Sequence, residues 1–137
     1  MNKLEVTLLP WAPRILSVLR VVTALLFFEH GLQKMVGFPP APQPFPSPLP
    51  TMMLASGLLE FGGGLLMLVG LFTRPVAFIL SGMMAIAYFL AHAPRGFFPI
   101  LNGGELAIVY CFVFFYFFFA GGGAWSIDAA LARRKTS

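Results

Sequence analysis

Charge is scarce in this chain: Asp, Glu, Lys and Arg make up 10% of its 137 residues, and only five of them are acidic. A soluble domain of this size exposes too much surface for so few charges to cover. The net charge of +4 is spread along the chain. That excludes nucleic-acid binding, which needs a concentrated basic face. A single cysteine, Cys111, excludes a dithiol couple within the chain and any thiolate metal cage. Lying inside an apolar run, it reads as a small buried hydrophobe. The opening residues, MNKLEVTLLP, lack the basic, apolar, small-residue order of a cleaved signal peptide. The first apolar helix is therefore expected to stay as an anchor.

Hydrophobic residues, in contrast, make up 58% of the chain, with 16 phenylalanines among them. This is the composition of a single-domain integral membrane protein. Four apolar stretches approach the roughly 20 residues a helix needs to cross a bilayer, over residues 14–35, 51–72, 76–93 and 104–121. Pro10 and Pro13 precede the first, Pro50 the second, and Pro75 falls in the first turn of the third, where a missing N–H is harmless. The run of three glycines at 121–123 ends the fourth. Helices are required because backbone groups must satisfy one another in hydrocarbon, and so few strands cannot close a barrel. The expected fold is an all-α polytopic membrane protein, a four-transmembrane-helix bundle in one domain. Between the first two spans, GFPPAPQPFPSPLP (37–50) holds seven prolines in fourteen residues and reads as a stiff non-helical connector.

The distribution of Lys and Arg predicts orientation. One side carries Lys3, Arg14, Arg74, Arg133, Arg134 and Lys135, the other Lys34 and Arg95. Both termini are thus expected in the cytoplasm, the chain being integral to the cytoplasmic (inner) membrane of a prokaryote. Trp11 and Trp125 fall on the same side as interfacial anchors, and Arg20 is expected to snorkel back to that surface. Residues 126–135 read as an interfacial helix with Ser126 as its cap and Asp128 in its first turn.

The remaining ionisable groups gather near one level. Glu29 lies roughly 9 Å inside the outer end of the first span and Glu60 roughly 13–14 Å inside the second, at 1.5 Å per residue. His30 adjoins Glu29; His92 ends the third span, Glu105 opens the fourth, and Arg95 and Asn102 lie between them. Ionisable groups at such depth mark function by default. Ser56, Gly57, Gly63, Gly64 and Met67 share the face of Glu60, and small residues of this kind let a second backbone approach, so this face points inward. On the third span Ser81, Ala85 and Tyr88 lie on the stripe of His92. Structural alternatives stand beside these readings. Asn102 and Glu105 match a capping box, His92 suits a helix C-terminus or a bond to Tyr88, and Lys34 is expected to snorkel outward. Glu29 and Glu60, held neutral or paired with a cation, could serve as interhelical hydrogen bonds.

The segments FFEHGLQKMVGFP, LLEFGGGLLMLVGLFTRPVA, AYFLAHAPRGFFPILNGGELAIVYCF and GGGAWSID, in that order, resemble the DoxX family of small four-helix membrane proteins over residues 14–130. By resemblance the motif positions are Glu29, His30, Gly31, Lys34, Glu60, Gly64, His92, Gly104, Glu105 and Asp128. Founding members of that family form a subunit of a membrane thiosulfate:quinone oxidoreductase, and others are partners of redox or stress-defence complexes. The resemblance therefore implies a quinone-linked redox protein or oxidoreductase subunit, with a partner subunit and the lipid bilayer as its surroundings and a homo-oligomer as its state. In that reading Glu29, His30 and Glu60 handle protons, as catalytic residues, while Tyr88, His92, Arg95, Asn102 and Glu105 bind substrate. Quinone is the expected ligand and no metal is expected. Haem ligation by His30 and His92 is the weaker reading, because adjacent Glu29 and His30 diverge by about 100° on a helix. The alternative is a non-enzymatic anchor or assembly subunit.

Overall fold

The computed structural model describes residues 2–136, and among them every regular element is helical. A capping box between Asn2 and Glu5 opens α1 (Lys3–Leu8). A 3-10 turn over Leu9–Trp11 leads into α2 (Ala12–Val36), which carries Pro13 in its first turn. The proline-rich connector has no helix, as its composition requires, and α3 (Thr51–Val69) follows Pro50. Next comes α4 (Thr73–Ala87), prolonged by a π-helical turn, Tyr88–His92, and a 3-10 turn, Ala93–Arg95. The short α5 (Pro99–Asn102), then α6 (Glu105–Ala120) and α7 (Ile127–Thr136), complete the chain.

Three continuous helical stretches are long and apolar enough to cross a membrane: Lys3–Val36, Thr51–Val69 and Thr73–Arg95. The fourth expected span is α6, strongly apolar after its first residue, Glu105, but only 16 residues long. At 1.5 Å per residue it covers about 24 Å against a hydrocarbon core of about 30 Å. The second span also ends earlier than expected, at Val69, because Gly70 turns left-handed (φ 70°) and caps it with an N–H bond to the Leu66 carbonyl. The third starts earlier, at Thr73, for a reason supplied from elsewhere in the chain: both oxygens of Asp128 accept hydrogen bonds from its first amides, Phe72 N at 2.9 Å and Thr73 N at 2.8 Å. A carboxylate at that place satisfies orphan donors and meets the positive end of the helix dipole.

α2 packs chiefly on α3, α4 on α6, and α3 touches α4 between the two pairs. The shared core is built of Ala24 and Phe27 from α2, Met67 from α3, Ala77 and Leu80 from α4, and Tyr110, Phe114 and Phe117 from α6. The α2–α3 contact is closest at Gly31, where an added Cβ would lie 2.3 Å from Phe61 N and 2.7 Å from the Glu60 carbonyl carbon.

The end of the bundle opposite Glu60 is closed by arginines. Arg20 is 1% exposed. The expectation that it snorkels to the surface is overturned by the carbonyls around it. Its Nε donates to Gly122 O at 2.8 Å, Nη2 to Trp125 O at 2.8 Å, and Nη1 to Met67 O and Leu68 O at 2.5 Å each. These acceptors are the last carbonyls of α3 and the loop after α6, so one guanidinium satisfies both. Arg74 does the same for α6, with Nη1 donating to Phe118 O (2.9 Å) and Phe119 O (2.5 Å). Ser126 caps α7 as expected, its Oγ accepting from Ala129 N at 3.1 Å. Trp11 and Trp125 stand exposed at this same end, where Ala124 N bonds Pro13 O.

Two predictions follow from this packing. Gly31→Ala forces backbone against backbone and should destabilise the protein by about 1–3 kcal/mol. Gly62→Ala, with open space at its Cβ position, should be neutral or slightly stabilising, and unfolding of both in mixed micelles checks the contrast. Arg20→Met should cost about 3–5 kcal/mol in the same assay, because four carbonyls lose a charged donor in a dry site.

Candidate functional site around Glu60

Gly57, Glu60, Gly64 and Met67 are the buried residues of α3, the face that the small-residue spacing picked out. With Gly31 admitting the α3 backbone, Glu60 is pressed against α2 and left 7% exposed. Three residues after Gly31 on the same helix comes Lys34, whose Nζ lies 2.8 Å from Glu60 Oε1 and 3.1 Å from Ser56 Oγ. The Ser56 hydroxyl in turn donates to Met53 O at 3.0 Å. Lys34 therefore does not snorkel outward: its side chain, 19% exposed, turns inward to the carboxylate. The reason is energetic. A buried carboxylate without a cation is far more costly than the bend of a lysine stem. Of the states open to Glu60, the structure shows the one paired with a cation. Its second oxygen, Oε2, is buried without a hydrogen-bond partner among the described residues.

Glu29 and His30 lie five and four residues before Lys34, about one turn earlier on α2, and both are exposed on the bundle surface. Among the described residues Glu29 has no hydrogen bond or ion pair. The His30 ring stands edge-on to Tyr110, with centroids 6.4 Å apart and planes at 90°. Tyr110, 5% exposed, projects from α6 against Phe27 at 5.2 Å. It lies within electrostatic reach of both Glu29 and Glu60. α2 and α6 thus meet at this tyrosine, and of the two carboxylates on α2 and α3 one is buried and paired and the other faces out.

The remaining candidates form a second group at the ends of the third and fourth helices. Asn102 is 2% exposed and bonds in three directions: Nδ2 to Gly96 O at 2.8 Å and to the Tyr88 hydroxyl at 3.4 Å, and Oδ1 from Gly104 N at 2.8 Å. His92 Nδ1 is 3.1 Å from the Asn102 carbonyl oxygen, so its partner is Asn102 and not Tyr88, whose ring stacks on it at 6.4 Å. The capping box is not formed. Gly104 is the N-cap of α6 and makes no side-chain cap bond, because Asn102 is spent on the turn before it. Arg95 and Glu105 are exposed, and neither has a hydrogen bond or ion pair among the described residues. Nor does any hydrogen bond among those residues join this group to Glu60. Sequence reasoning missed Lys34 as the partner of Glu60. The signal for it was Ser56, one turn before Glu60 and able to hold the same ammonium.

Long apolar helices whose buried polar groups pair across the bundle define an α-helical membrane protein. The chain belongs to the DoxX family, whose model matches residues 15–93. It is 45% identical over 132 residues to an uncharacterized protein of Haemophilus influenzae, covering 93% of this chain and 96% of the relative. It is also 32% identical over 121 residues to the inner membrane protein YqjF of Escherichia coli K12, covering 85% and 92% of the two. No solved structure matches the chain significantly.

Lys34→Met should destabilise the protein by about 3–5 kcal/mol, as removing one member of a buried ion pair does. Adding Glu60→Leu to it should restore most of that loss. A double-mutant cycle of micellar unfolding measures the coupling, and additive effects would disprove the pairing.

Proposed function

We propose that the chain crosses the cytoplasmic membrane four times as a single domain with both termini inside, and that it is the membrane part of a quinone-linked redox system. The orientation is supported by charge: with Lys34 held by Glu60, Arg95 is the outer basic side chain left facing solvent, against six on the opposite side. The observation that carries the functional reading is that α2 holds exposed Glu29 and His30, the latter edge-on to Tyr110, about one turn before the Lys34 that pairs with buried Glu60, whose Oε2 is unpartnered among the described residues. A quinone reaches a protein from the lipid, and its head group needs donors for two carbonyl oxygens beside an apolar wall. Glu29 and His30 fit that need, standing on a surface otherwise formed by Leu25, Leu26 and Val22.

Reduction of a quinone to a quinol takes up two electrons and two protons. The electrons come from a partner oxidoreductase subunit, and Glu29 and His30 deliver the protons at the membrane surface of the bundle. The Lys34–Glu60 pair holds the local charge, so that a proton passing inward meets a carboxylate whose second oxygen is free to accept it. Tyr88, His92 and Asn102 shape the outer mouth, and exposed Arg95 and Glu105 are placed to meet a charged electron donor there. An unpaired carboxylate on a lipid-facing helix is costly. A second copy of the chain covering α2 would shield Glu29 between turnovers.

A second reading, an anchor for a partner enzyme, is favoured by the outer loop, where Phe97, Phe98, Ile100 and Leu101 are 60–86% exposed. The two readings separate experimentally. In membranes carrying the protein, Glu29→Gln and His30→Ala should each lower electron transfer to a short-chain quinone analogue by about tenfold to a hundredfold or more, the scale of general acid catalysis. Unchanged turnover in both folded variants would overturn the redox reading and leave the anchor.

A further inference from the structure

A cavity of about 760 Å³ opens at the arginine-closed end of the bundle, away from Glu60 and unused by the function proposed above. Its walls are of two kinds. Pro13 and Leu16 of α2, Pro75 of α4, and Tyr116 and Ala120 of α6 give it an apolar side. Arg74 gives it a charged one. Nη1 of Arg74 is occupied by the carbonyls of Phe118 and Phe119. Its Nη2 and Nε donate to no acceptor among the described residues. They lie over Gly121, 3.5 Å and 3.7 Å from where a Cβ would stand there, which is van der Waals contact distance. The carboxylate of Asp128 also lines the cavity, but both its oxygens are bound to the first amides of α4, which offsets its charge toward an incoming anion.

The geometry points to a phosphate-binding site at this end of the bundle, taking the head group of an anionic phospholipid. The Nε–Nη2 edge of an arginine presents two parallel donors at the spacing of two phosphate oxygens. A basic pocket between transmembrane helices at the basic side of the bilayer is where such head groups are held. The exposed tryptophans Trp11 and Trp125 place this end at the interface, the depth at which a lipid phosphate lies. The apolar wall of Leu16, Pro75 and Tyr116 then receives the glycerol and the upper acyl chain. The same arginine edge would accept inorganic phosphate, so the test distinguishes the two sources.

The experiment uses the whole protein in a neutral detergent, with phosphatidylglycerol or phosphatidylcholine added and the bound lipid counted by native mass spectrometry. Phosphatidylglycerol should be retained about tenfold more than phosphatidylcholine, the scale of one charge-assisted pair. Ala12→Phe, on the open wall of the cavity and clear of the Arg74 carbonyl bonds, should abolish that preference while the protein unfolds normally. Arg74→Lys, which keeps the charge and loses the paired donors, should reduce it. Arg134→Gln, outside the cavity, should leave it unchanged. If inorganic phosphate alone stabilises the wild type against heat, fails to stabilise Ala12→Phe, and no lipid is retained, the phosphate site stands and its ligand is the free ion. Equal retention of both lipids, or an undiminished preference in Ala12→Phe, overturns the proposal.

Discussion

One buried guanidinium holds the architecture of this bundle together. Hydrocarbon offers no hydrogen bonds, so every helix that ends within or near it must find partners for its last carbonyls inside the protein. Arg20 does this for α3 and for the glycine loop after α6 at once, and Arg74 does it for α6. Asp128, reaching back from α7, does the complementary task for the first amides of α4. Three charged side chains from three elements thereby tie the four long helices at one end. α7 belongs to this closure through Asp128.

The opposite end is organised by contact distance. Gly31 lets α2 and α3 touch backbone to backbone, and that approach carries Glu60 into the interior. A buried carboxylate at that position demands a cation, and Lys34 meets it. Glu29 and His30, on the same helix but turned by their position in the sequence, are left outside. The result is an ionisable group in each environment, with Tyr110 of α6 edge-on to the exposed His30. That division between core and surface, and not a single enclosed pocket of carboxylates, is the basis of the proposed proton-handling role.

Much of the fold was legible in the residues. Long apolar runs, the prolines before them and the glycines after them placed the helices to within a few residues, because the bilayer leaves helix as the available choice and Gly and Pro set where each stops. The glycine face of α3 correctly turned Glu60 inward. The capping box at Asn102 was misread, since the local pattern is the same whether the asparagine caps a helix or stitches a turn, and Gly96 and Tyr88 decided between them.

Sequence by itself determined that this is a helical membrane protein of the DoxX family. Those facts follow from composition, periodicity and motif order, which are local. Only the tertiary structure decided which charges meet. Arg20 and Lys34 were both expected to reach for water, because a long cationic side chain in isolation does so. Each turned inward instead, since four carbonyls in one case and a buried carboxylate in the other lay within reach, supplied by residues 26 to 105 positions away. Long-range partners of that kind are invisible until the helices are packed.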